Sequence, residues 1–323
     1  MMTSHAMGRD LAQAVAWLQR NRPVAIPTET VYGLAGNAFS SAAVAEIFAV
    51  KNRPRFDPLI VHIGGLRALG QVATQVPPEA LILFERFSPG PLTVLLPKAP
   101  TIPDLVTSGQ PRVAVRIPHH PLAQAVLAAV EFPLAAPSAN PFGYVSPTTA
   151  QHVADQLGTR IPYILDGGPC GVGVESTIVG FEPQGPVVWR PGGVPVEALE
   201  EVLGAVTVAP SGVSVAVPGG VKHHYAPGIP LYFDALETCL ARFAPEELGF
   251  LAFTRADERL PRQQQWVLSP AGDLAEAAQA LFAALRWFDG QPLKAVAAEA
   301  FPEQGLGRAI NDRLRRASAK LAR

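Results

Sequence analysis

The sequence predicts an α/β protein of two domains: a twisted mixed (parallel and antiparallel) sheet with flanking helices over residues 1–205, and a smaller α/β unit over 229–323. Three observations predict it. At 323 residues, 48% hydrophobic and 16% charged, the chain has the length and composition of a compact protein with two cores. Strand and helix patterns alternate irregularly over the first part, which speaks against a barrel or a doubly wound sheet. Between the two patterned regions, 206–228 holds no Asp or Glu and is broken by Pro210, Gly212, Pro218, Gly219, Gly220, Pro227 and Gly228. That stretch is a linker, and one this long is expected to be functional or mobile.

Taken in order, Leu11, Ala14, Val15 and Leu18 recur at helical spacing, and Val24 to Ile26 follows as a strand. The strand delivers Pro27-Thr28-Glu29-Thr30-Val31-Tyr32-Gly33-Leu34, a loop carrying three hydroxyls and a carboxylate. A helix over Ala42 to Val50 ends at Lys51-Asn52-Arg53-Pro54, where Asn52 and Pro54 oppose further helix and leave both cations at an element end. Taken alone, that tripeptide is equally a pair of solvated basic residues. Pro58 to Ile63 is a strand, Leu66 to Ala73 and Glu79 to Phe87 are helical, and Leu92 to Leu96 is a buried strand after the turn Ser88-Pro89-Gly90-Pro91. Arg112 to Pro118 alternates as a strand with Arg112, Ala114 and Arg116 on one face.

Pro121 to Val130 is helical, and Leu134 to Ala136 is a short strand entering Pro137-Ser138-Ala139-Asn140. Ser146-Pro147-Thr148-Thr149 caps a helix through Leu157, with proline in its first turn, and Ser146 is open to a reading as cap alone. Tyr163 to Leu165 runs as a strand into Asp166 to Thr177, where Gly167, Gly168, Gly171 and Gly173 mark close backbone approach or positive-φ turns. Ile178 to Phe181 and Val187 to Arg190 pair as strands, and Val196 to Leu203 is a helix. Beyond the linker, Leu231 to Phe233, a helix near Glu237 to Phe243 and Gly249 to Phe253 form a βαβ unit. Trp266 to Leu268 adds a strand, and Leu274 to Phe288 and Arg308 to Leu321 are long helices. Arg313, Arg315, Arg316, Lys320 and Arg323 read as the solvated basic end of the second of these.

Composition excludes several function classes. Lys plus Arg number 26 against 27 for Asp plus Glu, so no global field draws the chain to nucleic acid or anionic lipid. Cys170 and Cys239 form no Cys-x-x-Cys pair, which argues against structural zinc and a disulfide framework. The lack of a long apolar run or signal core leads us to expect a cytoplasmic protein. Neither Gly-x-x-x-x-Gly-Lys-Ser/Thr, Gly-x-Gly-x-x-Gly after the first strand, His-Glu-x-x-His nor Gly-x-Ser-x-Gly occurs. The adjacent pairs His119-His120 and His223-His224 diverge on a strand or helix, so no metal site is expected. What remains is polar groups at element ends: Thr30, Lys51, Arg53, His62, Arg112, Arg116, Ser138, Asn140, Ser146, Ser176 and Arg190. Cations and hydroxyls without a nucleophile–base pair suit charge stabilisation of a phosphate more than covalent catalysis.

The loop Pro27 to Leu34, Lys51-x-Arg53, Pro58 to His62, Pro89-Gly90-Pro91-Leu92-Thr93, Val113 to Arg116, Ala136 to Asn140, Glu175-Ser176-Thr177-Ile178 and Arg190-Pro191-Gly192 stand in the order seen in the YrdC-like family. With His224-Tyr225-Ala226-Pro227 and a second, Rossmann-like domain, the chain resembles the long, two-domain threonylcarbamoyl-AMP synthases. The resemblance implies a nucleotidyltransferase making threonylcarbamoyl-AMP and pyrophosphate from L-threonine, bicarbonate or CO2, and ATP. A separate transferase would use the product to modify the tRNA adenosine beside the anticodon.

By the same resemblance, Thr30, His62, Arg116, the Ala136 backbone and Ser176 would hold threonine. Lys51, Arg53, Asp57, Arg112, Ser138, Asn140, Ser146, Arg190 and Tyr225 would hold ATP, with Lys51 and Arg53 serving catalysis. Mg²⁺ would come with the nucleotide, without dedicated protein ligands. The linker would cross the site as a lid.

Two positions depart from the family pattern. Asp57 stands where Asn is frequent, and Pro218-Gly219-Gly220-Val221-Lys222-His223 replaces a Pro-Gly-Met-Lys run, leaving Lys222 as the counterpart of its lysine. A non-catalytic RNA-binding module is the alternative, and the near-neutral charge weighs against direct tRNA binding. A metallocofactor carbamoyl-transfer protein would need zinc-finger cysteines that two lone cysteines do not supply.

Overall fold

A computed structural model describes residues 6–210, 217–219 and 224–318. Within them, the first sheet is assembled from β1 (Ala6–Gly8), β2 (Val24–Ile26), β3 (Gly33–Asn37), β4 (Ile60–His62), β5 (Leu92–Pro97), β6 (Arg112–Arg116), β7 (Leu134–Ala135), β8 (Tyr163–Leu165), β9 (Thr177–Glu182), β10 (Gly185–Arg190) and β11 (Thr207–Val208). Its strand order is β1-β8-β2-β3-β7-β4-β6-β5-β9-β10-β11. Parallel pairs such as β4–β6 alternate with antiparallel ones such as β5–β6 and β9–β10, so the expected mixed sheet is present.

The flanking helices are α1 (Leu11–Gln19), α2 (Ser41–Lys51), α3 (Leu69–Val72), α4 (Pro78–Phe87), α5 (Asp104–Thr107), α6 (Pro121–Ala129), α7 (Ala150–Leu157) and α8 (Val196–Leu203). They cover both faces because β side chains alternate: Val24 and Ile26 pack with Leu18 and Val126, while Ala25 belongs to the larger cluster with Ile47, Val61 and Val115. β3 is a strand the pattern did not announce. Its Gly-Leu-Ala-Gly-Asn has poor strand propensity, but a Cβ on Gly36 would lie 3.0 Å from the Ile47 methyl, so the close packing of α2 requires a small residue there. The helix after Ser146 also starts later than its sequence suggests. Thr149 caps α7, its hydroxyl accepting from His152 N at 3.2 Å, and Pro147 lies before the cap instead of in the first turn.

The second sheet contains β12 (Leu231–Phe233), β13 (Leu248–Ala252), β14 (Gln265–Val267) and β15 (Ala295–Ala298) in the order β12-β15-β13-β14, all parallel. With α9 (Leu236–Leu240), α10 (Leu274–Asp289) and α11 (Gly307–Ser318) it forms the expected small α/β unit. β15, an alanine-rich strand buried along its length, was missed because alanine is a weak strand signal.

The two units share a core: Val31, Val145 and Val174 of the first unit pack in one cluster with Leu281, Phe282, Ile310 and Leu314 of the second. One glycine of the loop 166–177 is explained here. Gly173 has φ +79°, and a Cβ on it would lie 2.3 Å from the Cα of Gln279, so α10 lies directly on the loop backbone. Arg286 of α10 donates Nη2 to Val145 O at 2.5 Å, and Asp289 accepts from the Tyr144 hydroxyl and from Ile229 N. No helix among the described residues is long and apolar enough to cross a membrane.

Candidate active site

Strand ends of the first sheet converge on a cavity of about 550 Å³, its open mouth included. Register brings the polar groups together. His62 at the end of β4 pairs beside Arg116 at the end of β6, Thr93 of β5 lies opposite Arg116, and Arg190 at the end of β10 lies opposite Ile178, two residues after Ser176. Thr30, Arg53, His62, Arg116, Ala136, Ser138, Ser176, Arg190 and Tyr225, all singled out from the sequence, line the cavity.

Each cation is held rigidly. Arg53 donates Nε to Asp57 O at 2.9 Å and Nη2 to Pro58 O at 2.8 Å, and it pairs with the Asp57 carboxylate at 2.8 Å. Arg116 donates to Thr30 Oγ1 at 2.9 Å and to Glu29 Oε1 at 2.6 Å, while His119 N fixes the other Glu29 oxygen at 2.9 Å. The carboxylate of the first loop thus backs Arg116. Arg190 donates to Ser176 O at 2.9 Å and to Ser176 Oγ at 3.2 Å, and the Ser176 and Thr93 hydroxyls lie 2.7 Å apart.

Burial, reinforced by the Arg116 charge, pushes His62 down to about 3, so its imidazole is neutral at physiological pH. Its Nδ1 is buried without a hydrogen-bond partner, a polar atom left for a ligand. Because the unfolded imidazole binds a proton near pH 6.5 and the folded one does not, His62 stabilises the fold fully above that pH and progressively less as pH falls toward 3. Acidification from pH 6.5 to 5 is expected to cost about 2 kcal/mol through this residue. Urea unfolding at each pH checks it, and a His62→Gln chain that keeps the parental acid slope would acquit His62.

Several expected site residues stand behind the wall. Lys51 is buried, and its Nζ donates to Ser138 O and Asn140 O at 2.5 Å each, so it fixes the loop after β7 and does not line the cavity. Asn140 donates Nδ2 to Pro141 O and Tyr144 O, and Ser146 gives its hydroxyl to Glu175 Oε1 at 2.6 Å. Tyr32 turns away to donate to Gly168 O at 2.7 Å. Arg112 is farther off. Four residues of strand separate it from Arg116 by about 13 Å, and there it pairs with Glu182 at 2.5 Å and lies over Trp189.

The cover comes from the connecting segment. Asp57 Oδ1 accepts from Gly219 N at 3.0 Å, Arg190 donates to Pro218 O at 3.2 Å, and Arg316 of α11 donates to Gly219 O. Tyr225 stacks on Phe282 and lies against the guanidinium groups of Arg313 and Arg316, with His224 packed between it and Phe142. Burial and then the surrounding cations hold His224 well below the usual range, so it too is neutral. Lys222 and His223 lie outside the described residues.

The basic end of α11 is a correction. Arg313 is fully buried and Arg316 nearly so; neither is a solvated residue. Lys320 and Arg323 lie outside the described residues. Sequence reasoning also left Thr28, Glu175, Pro218, Gly219 and His224 out of the site, and all five line the cavity. No group of three or more His, Cys, Asp or Glu among the described residues is placed to hold a metal ion.

Comparison with known proteins gives matches over both units. A model of Sua5, YciO and YrdC proteins described as "Telomere recombination" matches residues 16–192, and one described as "Threonylcarbamoyl-AMP synthase, C-terminal domain" matches 194–319. The chain is 39% identical to a threonylcarbamoyl-AMP synthase of Pyrococcus abyssi, over 94% of this chain and 93% of the relative. It is 40% identical to one of Bacillus subtilis, over 95% and 92%. The crystal structure of P. abyssi Sua5 complexed with L-threonine superposes with a TM-score of 0.89 at 36% identity, covering 97% of each chain.

Proposed function

This chain belongs to the Sua5/YciO/YrdC family in its two-domain form, and on that footing we propose that it is a nucleotidyltransferase that makes threonylcarbamoyl-AMP from L-threonine, bicarbonate or CO2, and ATP, releasing pyrophosphate. The observation that carries this reading is the convergence of three buried guanidinium groups, Arg53, Arg116 and Arg190, on one covered cavity. That wall suits two anions held side by side, an amino-acid carboxylate and a polyphosphate. Arg116, Thr30, neutral His62, Ser176 and the Ala136 backbone form the threonine end. Arg53, Arg190, Ser138 and the Tyr225 segment form the nucleotide end. Lys51, Asp57, Asn140 and Ser146 support these groups from behind, and Arg112 takes no part.

The chemistry asks for placement and charge. The threonine amine adds to the carbon of CO2 with loss of a proton, or to that of bicarbonate with loss of water, to give a carbamate. A carbamate oxygen then bonds to the α-phosphorus as the bond to the pyrophosphate oxygen breaks. No protein nucleophile takes part. Glu29, Asp57 and Glu175, the acidic groups at or beside the cavity, are each engaged by a guanidinium, so Mg²⁺ would come with the nucleotide substrate. The covering segment would keep water from the carbamate and the adenylate. The product would pass to a separate transferase that modifies tRNA adenosine.

The test is pyrophosphate release by the purified chain with Mg-ATP and bicarbonate, with and without L-threonine. Threonine-dependent release, absent with serine or alanine, is expected. No release under any of these conditions, together with salt-sensitive tRNA binding, would replace this reading with RNA binding.

A further inference from the structure

Among the described residues, Glu175 is the only carboxylate on the cavity wall, an awkward group beside a polyphosphate. It is 8% exposed, with Oε1 accepting from the Ser146 hydroxyl at 2.6 Å and Oε2 accepting from Arg313 Nε at 2.9 Å. Arg313 reaches it from α11, in the other domain, 138 residues along the chain. The same guanidinium donates Nη1 to Pro191 O at 2.6 Å and to Asp312 at 2.9 Å, and its carbon lies 5.4 Å from the centre of the Tyr225 ring. The other charged and titratable groups around the pair are Arg190 on β10, Asp312 and Arg316 on α11, and Tyr225. Burial favours the protonated carboxyl, but Arg313, Arg190 and the two side-chain hydrogen bonds outweigh it and hold Glu175 below the usual range.

We propose that Arg313 is a positioning residue for the nucleotide end of the cavity: carried in by the second domain, it fixes and neutralises Glu175, so that the wall facing a polyphosphate is net positive. The proposal rests on the ATP reading above. Unit charges a few ångströms apart in such a site interact several times more strongly than in water. An uncompensated Glu175 would oppose the nucleotide directly.

Three variants test it: Arg313→Met, Arg313→Lys, and Arg313→Met combined with Glu175→Gln. Removing the cation alone is expected to raise KM for ATP about tenfold or more while KM for threonine moves less than about threefold. Adding Glu175→Gln removes the buried charge and should return KM for ATP to within about threefold of the parent, with Arg313→Lys intermediate. Equal impairment of the single and double variants, or a parallel rise in both KM values, would make Arg313 mere packing and overturn the proposal. If Arg313→Met does not fold, the other two variants decide, since neither leaves Glu175 ionised and alone.

Stability supplies a readout independent of activity. In the parent, Glu175 stabilises the fold above its unfolded pKa and loses that contribution as pH falls below it. Without Arg313, only Arg190 and Ser146 oppose burial, so the carboxyl rises relative to the parent and the variant gains less stability than the parent as pH rises. The stability gap between Arg313→Met and the parent should therefore widen from pH 5 to 8 and disappear with Glu175→Gln. Parallel curves would sink the coupling. A parent chain that binds no ATP would overturn the functional reading by itself, while these slopes still report whether Arg313 sets the charge of Glu175.

Discussion

Arg53→Ala is expected to lower threonine-dependent pyrophosphate release about a hundredfold or more, as the loss of one preorganised charge donor at a reacting anion commonly does. The argument is geometric. Hydrogen bonds to Asp57 O and Pro58 O lock Nε and Nη2 of Arg53, and Asn52 in the left-handed conformation at φ +51° turns the chain off α2 at that point. The cation is therefore in place before any substrate arrives. Its removal also strips Asp57 of its ion-pair partner beneath the cavity. Pairing the change with Asp57→Asn relieves that buried charge, so the double variant should regain stability while remaining at least tenfold slower than the parent. Turnover within threefold of the parent in a folded Arg53→Ala chain would remove this residue from the mechanism.

A chain cut within residues 206–218 should retain a folded first domain and lose most of its activity, on the order of tenfold or more, through loss of the cover. The cut removes Pro218, Gly219, His224 and Tyr225 from the cavity, and with α11 it removes Arg313 from Glu175. It also exposes Val31, Val145 and Val174, which pack with Leu281 and Phe282 in the intact protein, so the fragment should associate at concentrations where the parent does not. Steady-state pyrophosphate release and light scattering of residues 1–205 measure both effects. Full activity from that fragment would dispose of the covering role.

The cavity wall was legible in the sequence to the extent that short polar signals sit at strand ends. Thr30, His62, Arg116, Ser176 and Arg190 each follow or precede a readable strand, and pairing brings them together. Distance along a strand was less legible: one face joins Arg112 to Arg116, yet only the latter end reaches the cavity. Lys51 reads as a group for the substrate because spacing cannot tell a cation aimed at a ligand from one aimed at two backbone carbonyls. Arg313 is obscured for a different reason. It falls on the stripe of Ala309, Ile310, Leu314 and Ala317, a buried position by helical period, but the surrounding arginines suggested a solvated end. An arginine inside an apolar stripe was the available signal.

The ion pair between Glu175 and Arg313 also has a meaning in time. The two residues lie 138 apart, and a ribosome adding about 5–20 residues per second needs on the order of ten seconds to pass from one to the other. For that interval the nascent first domain holds its carboxylate without the cation that balances it. Pro218, Gly219, His224 and Tyr225 precede Arg313 in the chain, so the cover is made before the cation that balances the cavity's carboxylate.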